Sequence, residues 1–318
     1  MRITKIFVAG WLVLPLFLLS CGRREALPAP KISVRLLTTV TGTGRWELAA
    51  EQGLGRIAAE LDADVARLRV GDAAERRRSM DEQGREGVDL VFCVGPGFDK
   101  VVYSVAASSP GTAFVLLPGS AHAPNVGGIL FLPEEAGYLA GAAAEAIASS
   151  DRVGLLKGSG RPWLDRLEQG FVAGFRARRS GVVVETSDGV EGVRRLIAAG
   201  VDVALYASDL VDERVIAAAR DSGLVLVATD PELMAAAPDL VVAAVEVDVA
   251  EAMLRVARDV HDGTFAGRIF AFDLGSGVLD VVANEAWEPA ALESVRDAIE
   301  HARSEITAGF VEIEELGF

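Results

Sequence analysis

The residues of this 318-residue chain that could do chemistry are few and scattered. His122, His261 and His301 lie far apart, and no His or Cys falls at metal-ligand spacing, so each histidine reads as a surface or helix residue. Cys93 sits inside the apolar run DLVFCVG, where a small core residue is expected rather than a catalytic thiol. The sequence holds neither a GxSxG elbow nor a lysine-bearing phosphate loop. Thr41-Gly42-Thr43-Gly44 follows the first apolar run, yet the third glycine of a dinucleotide fingerprint is missing and Arg45-Trp46 occupies the turn. These features point away from an enzyme and from a bound cofactor.

What remains is binding chemistry. The glycines of that loop permit close approach of backbone amides to a ligand. Trp46, in a chain that is only 6% aromatic, either stacks on a planar ligand for about 1 to 3 kcal/mol, by analogy with base stacking, or packs as a staple at the start of a helix. Asp230, closing the run LVLVATD, either accepts hydrogen bonds from ligand hydroxyl or amine groups or caps the turn that follows.

The elements that must position these residues are legible as alternation. Short β-branched runs (VRLLTTV, DVARLRV, VDLVFCVG, TAFVLLPG, VGGILF) are separated by Ala-rich stretches with apolar residues at helical spacing. Strands joined by helices imply a parallel sheet covered on both faces. A second cycle opens at Pro133-Glu134-Glu135 and continues through RVGLLKG, VVVETS, VDVALYAS and LVLVATD, then LVVAAVEV, an amphipathic helix, RIFAFDLGSGVLDVV and a charged C-terminal helix. The expected fold is α/β: two doubly wound parallel-sheet lobes with a hinge and a cleft between them. The first lobe is expected to hold residues 32–131 with about 241–268, and the second 132–240 with about 269–318. Ligands of open parallel sheets bind beyond the carboxyl ends of the strands, so the residues just after strands are where function is sought.

The ends and the charge narrow the class further. Arg2 and Lys5 precede an apolar run that is too short to span a bilayer, is interrupted by Pro15 and stops at Leu18-Leu19-Ser20-Cys21. This predicts a lipoprotein signal peptide over residues 1–20, a lipidated Cys21, and a flexible tether over residues 21–31. The mature chain then keeps one free thiol, Cys93, and no intrachain disulfide. A net charge of −15 repels phosphate backbones, so nucleic acid is not an expected partner, and Arg76-Arg77-Arg78 reads as a solvated helix face. A monomer held by its lipid at an extracytoplasmic membrane surface, periplasmic or outer, is expected.

Several stretches resemble, in order along nearly the whole mature chain, the basic membrane protein family of importer-associated substrate-binding lipoproteins. They are DLVFCVGPG (89–97), PNVGGILFLPEEAGYLAG (124–141), RVGLLKG, LEQGFVAGF (167–175), Thr229-Asp230 and VEVDVAEAMLRVARDVHDGTFAGRI ahead of LGSGVL. The resemblance implies a type I periplasmic-binding fold, lipid anchoring, an ABC permease as partner and, for the best-understood members, purine nucleosides as ligands. The pocket positions depart from the family. Trp46-Glu47 stands where Phe-Asn is usual, Thr39 lies in a stretch lacking the first-loop Asp, Pro118 replaces an Asp, and Glu246 appears where a lysine is expected. An aromatic residue is also missing after VVVETS. The ligand-binding set expected from strand ends and resemblance together is Thr39, Trp46, Glu47, Gly95, Pro118, Ser208, Asp230 and Glu246. Two added carboxylates suit a cationic or amine-bearing relative of the family's ligands. A ligand-sensing lipoprotein of the same fold is the alternative, which permease and ATPase genes beside this one would decide against. A repressor of this fold is disfavoured by the leader and by the lack of a helix-turn-helix ahead of Ile32.

Overall fold

In the computed structural model, residues 31–39, 44–158, 162–187, 189–208 and 211–311 are described. The expected leader, Cys21 and nearly all of the tether, together with the loop at 40–43, lie outside the described residues.

The β-branched runs of the first half become strands and the Ala-rich stretches become helices. Their order is β1 (Ser33–Thr39), α1 (Arg45–Leu61), β2 (Asp64–Val70), α2 (Ala73–Arg85), β3 (Leu90–Val94), α3 (Val102–Ser108), β4 (Ala113–Leu117) and β5 (Val126–Phe131). Every residue of β3 and β4 is buried, as expected of central parallel strands covered on both faces. Cys93 is one of them. Burial pushes its thiol far above the ordinary range, which leaves it protonated and unreactive.

The second cycle runs α4 (Pro133–Ile147), β6 (Arg152–Lys157), α5 (Pro162–Arg178), β7 (Val182–Ser187), α6 (Val190–Ala198), β8 (Val203–Ala207), α7 (Glu213–Ser222), β9 (Val225–Ala228), α8 (Pro231–Ala236) and β10 (Val241–Val247). It is followed by α9 (Val249–His261), β11 (Ile269–Phe272), a 3-10 turn (Leu274–Ser276), β12 (Leu279–Ala283) and α10 (Pro289–Thr307). Two six-stranded sheets result, ordered β11-β5-β4-β3-β1-β2 and β12-β10-β9-β8-β6-β7. All pairs are parallel except β10 with β12. The chain therefore consists of two α/β lobes.

The late elements are distributed differently from the expected division. Strand β10, placed in the first lobe by the sequence, pairs with β9 and β12 in the second sheet, whereas β11, placed in the second, pairs with β5 in the first. Of the 241–268 segment, α9 and the loop after it join the first lobe: Val249, Met253 and Val256 share a core with Trp46, Leu54 and Ile57 of α1, Phe265 packs against the same core, and the Gly267 amide donates to the Pro124 carbonyl. The chain thus crosses between sheets three times, at β5 to α4, β10 to α9 and β11 to β12. Glu135 of α4 accepts a hydrogen bond from the Leu274 amide at 2.9 Å and so ties the first crossing to the third.

Helices α4 and α5 pack at backbone distance. A Cβ on Gly137 would sit 2.1 Å from the Leu167 carbonyl oxygen, and one on Gly170 would sit 1.9 Å from that of Glu134. Only hydrogen fits at either point, so the small residues of both helices let them lock directly together. Beside this contact Arg166 of α5 forms an ion pair with Glu134, which is only 3% exposed.

Candidate functional site

The six strands of the first sheet end together at Thr39, Val70, Val94, Leu117, Phe131 and Phe272, because all are parallel. Helix α1 starts at the same edge. Its N-cap, Gly44, makes no side-chain cap, and Glu47 supplies the acid that favours the positive end of the helix. The Glu47 carboxylate folds back over the loop ends. Its Oε2 lies 3.0 Å from where a Gly44 Cβ would stand and its Oε1 3.6 Å from the corresponding point on Gly95. Gly95, with φ +106, makes the turn that leaves β3, a conformation that side chains rarely adopt. Thr39 Oγ1 lies 3.0 Å from that same Gly95 point.

Three of the expected residues, Thr39, Glu47 and Gly95, therefore form one corner at the ends of β1 and β3. Thr39 is 3% exposed and its Oγ1 has no hydrogen-bond partner among the described residues. Leaving a hydroxyl buried in this way costs about 1 to 3 kcal/mol. Such a group beside a carboxylate is suited to accept from a ligand donor.

Trp46 turns the other way. It is 7% exposed and stacks on Phe131, with ring centroids 5.3 Å apart and planes 19° from parallel. Trp163, from the first turn of α5 in the other lobe, meets it edge-on at 5.6 Å and 90°. The two indoles thus bridge the lobes, with Phe131 and Phe272 completing the aromatic group at the crossings.

The remaining expected residues are dispersed. Pro118 is exposed, after a cis Leu117–Pro118 bond at the end of β4. Ser208 follows β8, and its carbonyl accepts from Thr229 Oγ1 at 3.0 Å. Asp230 caps α8, accepting from the Glu232 amide at 2.7 Å, so it takes at least the capping role that the sequence allowed. Glu246 is exposed near the end of β10, opposite Asp280 of β12 rather than beside Glu47. Of the three neighbouring arginines, Arg77 and Arg78 are exposed, but Arg76 is half-buried, donates to the Gly71 carbonyl at 2.7 Å and lies against Gly97 and Phe98.

Sequence reasoning missed the charged group at the end of β6. Lys157 Nζ lies 2.8 Å from Glu168 of α5 and 3.7 Å from Glu185 of β7. The hydrogen bond to Glu168 raises the lysine's pKa. Burial raises that of Glu168, with the ammonium pulling the other way. The lysine directly after an apolar run was a visible signal. Its partner, eleven residues on inside a helix, was not.

With this geometry in place, comparison with known proteins decides the family. The Bmp family model, described as ABC transporter substrate-binding protein PnrA-like, matches residues 38–316. The chain belongs to this family. It is 23% identical over 300 residues to basic membrane protein A2 of Borrelia garinii subsp. bavariensis, covering 88% of each chain. Among solved structures, a transcriptional activator of the comK gene from Bacillus halodurans aligns with a TM-score of 0.75 at 23% identity, over 87% of this chain and 98% of that one. A solute-binding protein of an ABC transporter system from Conexibacter woesei aligns at 0.72 and 19%, over 89% and 98%. These structural likenesses show the two-lobed fold, and the family match shows a substrate-binding protein of the ABC-transporter class. Among the described residues no helix is long and apolar enough to cross a membrane.

Proposed function

We propose that this Bmp-family chain is a lipid-anchored, extracytoplasmic solute-binding protein that holds a small amine-bearing molecule at the cleft edge of its first lobe and delivers it to an ABC permease. It binds and releases without turnover, as a monomer tethered through Cys21. The observation that carries the reading of the ligand is the corner of Thr39, Glu47 and Gly95. A buried hydroxyl without a described partner stands next to a carboxylate, where the family pattern places an amide. An ammonium group satisfies both, donating to Thr39 Oγ1 and pairing with Glu47. Charge-assisted hydrogen bonds of this kind are about twice as strong as neutral ones. A cleft that closes away from water requires its carboxylate to be paired, and a cationic solute does so. Asp230 and Ser208 face the solute from the second lobe, and Glu246 contributes long-range charge from its exposed position.

Calorimetric titration of the soluble chain, lacking residues 1–30, with primary amines, quaternary amines and adenosine tests this reading. An amine binds, and Glu47→Gln weakens it at least tenfold, about 1.4 kcal/mol. Tight adenosine binding that neither Glu47→Gln nor Glu246→Lys alters overturns it. The anchor is tested separately, since Cys21→Ala releases the full-length protein from membranes if lipid alone holds it.

A further inference from the structure

We propose that the guanidinium of Arg76 receives an acidic group of the solute, so that the first lobe selects an amino-acid-like molecule carrying both an ammonium and a carboxylate. The inference deepens the reading of this edge as an amine site and rests on it for the position of the ammonium. Every other half-buried arginine among the described residues forms an ion pair with a carboxylate of the chain. Arg76 is half-buried and, among the described residues, forms none. Its Nη1 donates to the carbonyl of Gly71, just beyond the end of β2, at 2.7 Å, and its Cζ lies 5.9 Å from the centre of the Phe98 ring. Asp72 feels its charge, but that carboxylate caps α2 through the Glu75 amide and does not pair with it. A cation partly withdrawn from water and left without a counter-charge gains from an anion that reaches it.

The bonding capacity that remains on Arg76 has the shape of a carboxylate. Nε and Nη2 share the edge of the guanidinium that offers two parallel N–H groups to one bidentate partner. Nε is buried without an acceptor, and Nη2 donates to no described residue. Gly97, with φ +87, lies against this edge, where a Cβ would stand 2.9 Å from Nη2 and 3.3 Å from Nε. Any side chain there would crowd the fork. Gly97 is two residues from Gly95, a span of at most about 7 Å, and Gly95 is where Thr39 and Glu47 meet. The bond to Gly71 holds the cation where it is, and no ion pair joins it to Glu47. The edge thus presents a carboxylate and a guanidinium at the two ends of the turn Gly95-Pro96-Gly97. A solute with both charges matches the two at once, whereas a simple amine leaves Arg76 unmatched.

Calorimetry of the ligand-free soluble chain tests this with the standard α-amino acids and the ω-amino acids up to 6-aminohexanoate. Each is set against the amine that lacks its carboxylate and the acid that lacks its amine. At least one amino acid should bind about tenfold or more tightly than its amine, the low end of what a hydrogen bond to a charged group supplies. In Arg76→Gln that preference should fall to about one. Arg76→Lys, which keeps the charge without the fork, should retain part of it, and it gives the answer if the Gln variant does not fold. An arginine that serves only the fold weakens amine and amino acid alike when it is lost, so the ratio of the two separates a ligand contact from a structural role. The proposal fails if amino acid and amine bind equally throughout, if no probe with a carboxylate binds, or if the preference survives intact in the folded variants. Failure of the amine reading has a different signature. If the simple acids bind as tightly as the amino acids, the amines do not bind, and Arg76→Gln abolishes binding, the amine assignment falls and the role of Arg76 stands.

Discussion

At the carboxyl edge of the first sheet a buried hydroxyl, Thr39 Oγ1, is left without a described partner next to the Glu47 carboxylate. At the same edge of the second sheet several of the described polar groups are engaged by their own lobe. Lys157 pairs with Glu168, Asp230 caps α8, and Thr229 Oγ1 donates to the Ser208 carbonyl. The lobes share a strand order and differ, at these edges, in whether these described polar groups are bonded. An unmet donor or acceptor in a protein interior is a standing cost, and a site that has one gains more from a ligand than a site already satisfied. On the proposed reading the first lobe chooses the solute and the second holds its shape.

If the second lobe is the rigid one, its helix pair is where damage is greatest. Gly170→Ala puts a methyl group 1.9 Å from the Glu134 carbonyl oxygen, and a loss of about 3 kcal/mol is expected in denaturant unfolding. A loss under about 0.5 kcal/mol would mean that the helices slide apart without cost. Arg166→Ala leaves the Glu134 carboxylate buried and unpaired, with a comparable or slightly smaller loss of about 3 kcal/mol. Arg166→Lys should restore part of it.

The first lobe is expected to respond in the opposite direction. Thr39→Val keeps the shape and removes the hydroxyl, so stability is unchanged or rises by about 1 kcal/mol while affinity for the solute falls. Stability and affinity falling together would assign Thr39 to the fold instead of to the ligand.

The smallest expected effect is a pH dependence at the crossings. Burial raises the Glu135 carboxyl above its ordinary value, with Asp273 and Glu134 adding to the effect and the Leu274 amide opposing it. The folded protein then binds this proton more readily than the unfolded chain. The resulting stability is complete below the unfolded value of about 4.5 and is lost as pH rises through the higher folded value. Glu135→Gln removes the dependence, so the variant's stability relative to the natural chain should improve between pH 4.5 and pH 7. A constant difference would show that Glu135 titrates normally.

Much of the architecture was legible because local pattern determines it. The run VVVETS is β7 without change of bounds, and LVVAAVEV differs from β10 by one residue. The sheet that a strand joins was less legible. RIFAFDLGSGVLDVV reads as one continuous run, yet it splits at a 3-10 turn into β11 and β12 of different sheets. That split depends on crossings between lobes, for which short-range periodicity carries no signal. For the site, the glycine after β3 and the acid at the start of α1 marked the first-lobe corner. Trp163 stood beside a proline at a helix start, and its contact with Trp46 joins residues more than a hundred positions apart.

The central claim is that the Thr39, Glu47 and Gly95 corner holds an amine-bearing solute that the protein carries without altering. Native mass spectrometry of the chain, purified from its own host and then released in denaturant, tests it directly. The account predicts one small non-covalent adduct, recovered as an intact amine and depleted in Glu47→Gln and Thr39→Val proteins of unchanged fold. An adduct that is a nucleoside or lacks a basic nitrogen, retained equally by both variants, would contradict it.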